Sequence, residues 1–493
     1  MAFRRRLLGA NMGRTEASDR ASTGDGDADE PTTDATDGTQ EAADATDTPE
    51  AGGPGPTGRR EPPTVDGLPV LANTVEFMRD PLGFYERAGE YGDVVETGAF
   101  GSTVYHVRHP ETIRRILVED QQRFRKPAIL REVTDQVAPD SMVAIEGEQW
   151  RRIRELAQPA FTARQVQSYA DAVVDEAAAL ADSWTDGDRV DVPAAMKDLT
   201  LEVLGRAMFG RDFADVAPEV ATATEAINDR FDIRSVSRLL PPWVPTPTNR
   251  RFNRAMDAFD DVIDDLVAER RAREEPGEDL LGLLVAAGEG DGLSDAELRD
   301  QLFTVLFAGH ETSSLALTYA WLLLARNPEA RTRLHEEVDA LDADPDAATL
   351  PELEYTERVV KEALRLYPPA HLILRQTTED VTLQGYQVPA DSQLSMPTYF
   401  VHRDERWWDA PEAFRPERWR EDPEPEYSYF PFGGGPRACI GSRFATMELK
   451  LALATIARRV TLDLPRDGVR DPDLRMSVTL QPDDPIDLAV STR

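Results

Sequence analysis

The chain has 493 residues, with 91 Asp and Glu against 55 Lys and Arg, and a formal net charge of −36. The length leaves ample room for a buried core, and the charge repels phosphate backbones and anionic bilayers, which excludes a broad nucleic-acid-binding face. One cysteine excludes an internal disulfide, a Cys-rich zinc site and a Cys-ligated iron–sulfur cluster.

Residues 1–10 begin basic, but no apolar h-region comes after them, so no export signal is expected. Residues 11–60 hold no Val, Ile, Leu or aromatic residue. Such a stretch buries too little apolar surface to offset its ordering entropy, and 1–60 is expected to be a disordered acidic tail. From 61 to 493 apolar periodicity continues without an internal repeat or a Gly/Ser linker, which predicts one large domain. The periodicity predicts helices over 81–91, 148–161, 163–184, 196–209, 249–274, 294–327, 328–341, 353–367 and 442–460. It predicts strands over 94–96, 103–107, 381–383, 386–388 and 394–398. The fold class is therefore mainly α with a small β portion. The longest nearly uninterrupted apolar stretch, 315–325, is too short to span a bilayer, so a cytoplasmic protein without a transmembrane anchor is expected.

Only four of the 55 basic residues are lysines: Lys126, Lys197, Lys361 and Lys450. Residues 1–60 hold 12 acids and 7 arginines, so the negative charge belongs to the rest of the chain. At ordinary salt that charge costs stability by self-repulsion, and at about 1 M salt the Debye length falls to ~3 Å and the cost largely vanishes. A salt-adapted cytoplasm, as in a halophilic archaeon, is the expectation. The thermal midpoint should rise by several degrees when KCl is raised from about 0.1 M to about 2 M. A midpoint already maximal in dilute buffer counts against it.

The most informative segment runs Phe432-Gly-Gly-Gly-Pro-Arg-Ala-Cys-Ile-Gly441. Three glycines let the backbone turn tightly and approach a bulky planar group. Arg437 is a fixed cation suited to a carboxylate. Cys439 lies at the start of the 442–460 helix, where the helix end is expected to lower the thiol pKa. Phe432 is placed to cover the sulfur. Within 294–327, Ala308-Gly-His-Glu-Thr-Ser313 puts a carboxylate beside a hydroxyl in mid-helix, and Gly309 is expected to leave a gap where a small ligand sits. Lys361-Glu-Ala-Leu-Arg365 sets Glu362 and Arg365 three apart on one helix face.

In Phe432, Gly435, Arg437, Cys439 and Gly441 the sequence resembles the cytochrome P-450 family, in its Phe-x-x-Gly-x-Arg-x-Cys-x-Gly signature. The resemblance covers roughly 61–493. It implies the P-450 fold, haem b as cofactor and Cys439 as the axial thiolate metal ligand. It implies that Thr312 hydrogen-bonds dioxygen at the haem while Glu311 relays protons. The Glu-x-x-Arg signature matches Glu362 and Arg365. Their third network member is Arg418 in Phe414-Arg-Pro-Glu-Arg-Trp419, where Trp419 replaces the usual Phe. Trp150 and Arg154 match the family's Trp-x-x-x-Arg helix, and with Arg375 and Arg437 they are expected to hold the haem propionates. His402 fits a family segment and is assigned no chemistry.

The implied activity is that of a haem-thiolate monooxygenase that uses O2 and hydroxylates a lipophilic small molecule, a fatty acid or isoprenoid such as a carotenoid. The carboxylate–hydroxyl pair argues against a peroxygenase and against a gas sensor without turnover. Beyond Cys439 lie one helix and a short tail, so electrons are expected from a separate ferredoxin and ferredoxin reductase. Arg437, Arg443 and Lys450 form a local basic island for docking them. The 213–249 region is expected to roof the pocket, with Leu239, Leu240 and Trp243 at an apolar entrance.

Overall fold

The computed structural model describes residues 60–67, 72–99, 101–235, 237, 240–275, 277–288, 292–468 and 471–493. All lie in one compact unit, residues 51–493. The expectation for the 1–60 tail falls outside the described residues except at Arg60, and so does Leu239.

The helices are α1 Thr74–Arg79, α2 Pro81–Glu90, α3 Pro110–Arg114, α4 Ala128–Thr134, α5 Gly147–Ala157, α6 Ala163–Gln167, α7 Ala170–Asp182 and α8 Val192–Phe209. They continue with α9 Ala217–Phe231, α10 Pro247–Arg271, α11 Leu280–Gly288, α12 Asp295–Arg326, α13 Pro328–Asp339, α14 Glu354–Leu366, α15 Thr398–Val401 and α16 Ser442–Arg459. The strands are β1 Val94–Ala99, β2 Ser102–Val107, β3 Phe124–Arg125, β4 Arg189–Asp191, β5 Ile373–Thr377 and β6 Val381–Leu383. Then come β7 Tyr386–Val388, β8 Gln393–Met396, β9 Val460–Asp463, β10 Leu474–Met476, β11 Leu480–Pro482 and β12 Asp487–Thr492.

Most of the buried apolar residues belong to one large helical core that includes α8, α12, α14 and α16. A five-stranded sheet, in the order β1-β2-β8-β5-β3, packs on a separate, smaller core. Its β2–β8 pair is parallel and its other pairs are antiparallel. β10 and β11 form an antiparallel hairpin.

Helix α12 starts on a full capping box. Ser294 Oγ accepts the Glu297 N–H, and the Glu297 carboxylate accepts the Ser294 N–H at 2.9 Å. The same carboxylate takes Gln149 and Arg152 of α5, which ties the two helices together. The expected 163–184 helix is two helices, because Ser168 closes the first by donating its hydroxyl to the Gln165 carbonyl at 2.7 Å. The expected 148–161 helix tightens into a 3-10 turn at Gln158–Phe161, where Pro159 removes a donor. Helix α9 escaped the periodicity because its inner face is built from Ala, Thr and Asn as much as from large apolar residues.

Burial drives His106 and His402 down to about 3 and His371 to about 4, from an ordinary 6.5. Between those values and 6.5 the unfolded chain binds more protons than the folded one, so stability is full above pH 6.5 and falls as the pH drops through that window. Thermal midpoints measured from pH 7.5 to 4 should decline most steeply below 6.5. A flat profile to pH 4.5 contradicts the burial of these imidazoles.

Candidate active site

The segment carrying Cys439 is closed on itself. Phe430 N–H donates to His402 Nε2 (2.9 Å), Gly433 N–H to the Phe430 carbonyl (2.9 Å) and Cys439 N–H to the Phe432 carbonyl (2.9 Å). His402, to which sequence reasoning gave no chemistry, thus anchors the approach to the cysteine as a neutral acceptor. The glycines make the tight turn expected of them, with Gly433 at φ +72° and Gly435 at φ +64°, and they also relieve contacts within the protein. A Cβ on Gly434 would lie 2.5 Å from the Tyr427 hydroxyl, and one on Gly435, at φ +64°, would lie 2.0 Å from the Leu117 carbonyl. These two therefore relieve contacts with the protein itself. Gly441 is the one that bears on the sulfur: a Cβ there would lie 4.0 Å from Cys439 Sγ and 3.6 Å from the Phe161 ring. Phe432 packs its ring on the helical core.

Cys439 is accessible, yet burial among protein atoms pushes its thiol up, against the lowering from the Gly441 N–H and the Arg154 cation. The expectation that the helix end lowers this thiol is therefore corrected: desolvation outweighs it. A coordinated metal would deprotonate such a thiol outright.

Two guanidinium groups approach the Trp150 ring, Arg437 at 4.0 Å and Arg154 at 5.7 Å from its centroid. Arg437 also donates to the Ile145 carbonyl at 3.0 Å. Arg375 and Arg437 share a small cavity with Lys126 and Glu146. Sequence reasoning missed Lys126. Its ammonium donates to the Met142 and Ile145 carbonyls at 2.7 and 3.2 Å. Burial, Arg437 and Arg375 pull it down to about 6, with Glu146 opposing. Burial and Arg437 pull Arg375 down to about 10. Lys126, Arg154, Arg375 and Arg437 have no ion pair among the described residues, and Glu146 is the only acid among the residues lining that cavity. A cation group so under-neutralised fits two buried carboxylates. With a lone thiol crowded by no side chain at Gly441, the donor set fits a haem with two propionates. The one available signal for Lys126 was its rarity, as a lysine where this chain otherwise uses arginine.

On α12, Val305, Ala308, Gly309 and Thr312 keep accessible surface in a helix that is otherwise largely buried. Their spacing puts them on one face. Thr312 donates its hydroxyl proton to the Ala308 carbonyl at 2.7 Å, which leaves the oxygen's lone pairs to accept. Gly309 does not open the expected gap: its missing Cβ points at the Leu204 methyls, 3.3 and 3.4 Å away, so it serves the close approach of α8. Glu311 has no exposed surface, and its carboxylate accepts from Asn228, Thr479 and Gln481. Ser313 donates to Glu448 Oε2 at 2.5 Å, which joins α12 to α16, and burial pushes Glu448 up to about 8.

At the centre of the Glu362 network, Glu362 and Arg365 are fully buried, while Arg418 is partly buried. Arg365 grips both carboxylate oxygens at 2.8 and 2.9 Å, Arg418 Nε adds 3.0 Å and the Arg415 N–H 2.9 Å. Trp419 Nε1 donates to Glu362 Oε2 at 2.9 Å, a bond that Phe cannot make. Arg365 extends to the carbonyls of His402 and Pro411 at 2.9 and 2.7 Å. The network therefore holds the backbone from which His402 anchors the cysteine segment.

Lys450 is not on a docking surface. It is buried on Glu357 Oε2 (2.9 Å) and the Leu350 carbonyl (2.8 Å). Arg443 is exposed, Leu240 is half-buried, and Trp243 is 79% exposed. No described helix is long and apolar enough to cross a membrane.

The family model for cytochrome P450 matches residues 62–490. Cyclooctatin synthase of Streptomyces melanosporofaciens is 35% identical over 428 residues, covering 84% of this chain and 93% of that protein. Cyclooctat-9-en-7-ol 5-monooxygenase of the same organism is 34% identical over 403 residues, covering 80% and 87%. Among solved structures, the cyanobacterial CYP120A1 with bound retinoic acid superposes with a TM-score of 0.79 at 26% identity, covering 88% of this chain and all of that one.

Proposed function

The chain belongs to the cytochrome P450 family, a monooxygenase family with a haem-thiolate cofactor, and from that premise we propose that it hydroxylates a terpenoid-sized lipophile with electrons from a separate carrier. A haem of the protoporphyrin IX type would be held at its iron by the Cys439 sulfur. Bound there, it supplies activation of O2 and insertion of one oxygen atom into an unactivated C–H bond. The chain's own residues do the rest. Arg154, Arg375, Arg437 and Lys126 bind the propionates. Trp150, held by two of those arginines, keeps the α5 side in register. Thr312 holds a proton at Oγ1, with the Ala308 carbonyl fixing its direction, and Glu311 beside it exchanges protons with the interior. Substrate lies along the Val305–Ala308–Thr312 face, beneath α9 and the β10–β11 hairpin, where apolar contacts favour a lipophile.

The observation that carries this reading is the accessible face of α12, with Thr312 poised as an acceptor on it. The terpenoid class is drawn from the two relatives named for terpenoid products or substrates. Spectral titration of the haem-loaded protein with cyclooctat-9-en-7-ol, retinoic acid and palmitic acid tests it. The terpenoids should bind at least tenfold tighter than palmitate; the reverse order assigns a fatty-acid substrate.

The electron carrier is proposed to be an acidic ferredoxin. Arg151 and Arg443 are exposed and have no ion pair among the described residues; Arg443 lies on α16, which follows Cys439, and Arg151 lies on α5 with Arg154, whose cation acts on the Cys439 thiol. Steering by such rim charges acts mainly on association rate, so Arg151→Glu with Arg443→Glu should slow reduction by a plant-type ferredoxin about tenfold at low salt while leaving the absorption spectrum unchanged. Unaltered reduction places the docking surface elsewhere.

A further inference from the structure

Glu311 makes no ion pair among the described residues, although its carboxylate has no exposed surface. Three donors converge on a single oxygen, Oε1: Gln481 Nε2 at 2.5 Å, Asn228 Nδ2 at 3.2 Å and Thr479 Oγ1 at 3.4 Å. Oε2 is buried without a hydrogen-bond partner. Gln481 belongs to β11, Thr479 to the turn before it, and Asn228 to α9. The carboxylate on α12 is thus the point at which both neighbouring elements meet that helix.

The two amides are turned toward Glu311 by their other partners. Arg475 Nη2 donates to Gln481 Oε1 at 2.5 Å, and a guanidinium has no acceptor, so the Gln481 nitrogen must face away from it, toward Glu311. The Thr224 carbonyl takes Asn228 Nδ2 at 3.1 Å, and Asn228 Oδ1 takes the Ser477 hydroxyl at 2.8 Å. That last bond ties α9 directly to the hairpin. Arg475 also reaches Asp229 of α9 at 3.1 Å. Each of the three elements is therefore bonded to the other two, with Glu311 Oε1 as the shared acceptor.

We propose that Asn228 and Gln481 are positioning residues for Glu311, and that this one carboxylate oxygen latches α9 and the β10–β11 hairpin to α12. The placement of the carboxylate next to Thr312 then depends on whether both elements are closed on α12. Lifting either one withdraws a donor from Oε1 and loosens the other. The link to proton handling rests on the role given to Glu311 above; the latch itself does not.

Hydrogen–deuterium exchange of the haem-loaded full chain tests the latch. In Asn228→Leu, Gln481→Met and Glu311→Leu, amides in both 217–231 and 474–482 should exchange at least tenfold faster than in the parent. Glu311→Gln keeps an acceptor oxygen for the same donors and should restore the parent rates in both segments. Faster exchange confined to the element that carries the substitution, or no change, overturns the proposal. If Glu311→Leu does not load haem, Asn228→Leu and Gln481→Met still decide, because each is read in the element it does not belong to. Product formation by Glu311→Gln is a separate measurement: full activity there removes Glu311 from proton handling and leaves the latch standing.

Discussion

Cys439→Ala should purify without a Soret band and without the reduced-CO absorption of a haem-thiolate protein, although the apo chain still folds. The substitution removes the only sulfur in the chain able to form a thiolate ligand. It adds no bulk and leaves the backbone bonds of Phe432, Gly433 and Cys439 intact. Far-ultraviolet circular dichroism should stay within a few per cent of the parent, which separates loss of a ligand from loss of the fold. The cations at Arg154, Arg375 and Arg437 would still attract propionates, so weak, displaceable pigment is compatible with this result. A stoichiometric haem with an unshifted Soret band is not, and the assignment of the axial ligand would then fail.

Glu362→Ala or Arg365→Ala should abolish haem incorporation and cost more stability than Cys439→Ala. Removing one member of a buried charge group leaves the others unpaired at a cost of about 3–5 kcal/mol, a large part of the ~5–15 kcal/mol that holds a domain together. Here the damage has a definite route. Without Glu362, Arg365 and Arg418 lose their common acceptor; without Arg365, the carbonyls of His402 and Pro411 lose their donor. His402 then no longer fixes Phe430 at the head of the cysteine segment. Trp419→Phe gives the graded version: one hydrogen bond to the carboxylate is lost, at about 1.5–3 kcal/mol, while Arg365 Nε still holds Oε2. That variant should keep its haem and lose several degrees of thermal midpoint. Haem-to-protein ratios across the three variants check the order.

The chemistry of the site was legible in the sequence wherever one short segment carries it. Phe432 to Gly441 offers a candidate ligand because a thiol, a cation and the glycines succeed one another within one short segment. Glu311 with Thr312, and Glu362 with Arg365, were legible because a helix brings residues one, three or four apart to predictable places. What failed was inference about the far side of a contact. Gly309 reads as a gap from within its own helix, and only the packing of α8 shows Leu204 filling it. Lys450 reads as an exposed cation beside the cysteine, and only the fold brings Glu357 and the Leu350 carbonyl to it. The thiol of Cys439 reads as lowered by a helix end, and burial by distant segments reverses the sign.

By itself, then, the chain order of residues determined the family, the sole thiol as candidate ligand, and the mainly helical architecture, because each of these rests on local spacing and on the period of apolar residues. The tertiary structure alone decided which charges are paired, which oxygen of Glu311 is held and by whom, and that Lys126 shares a cavity with Arg375 and Arg437. Those outcomes depend on desolvation and on partners 80 to 300 residues away, such as Asn228 and Gln481 for Glu311 or Ile145 for Arg437. A one-dimensional pattern holds no information on the distance between such pairs, and electrostatic energy is a function of that distance and of the water excluded around it.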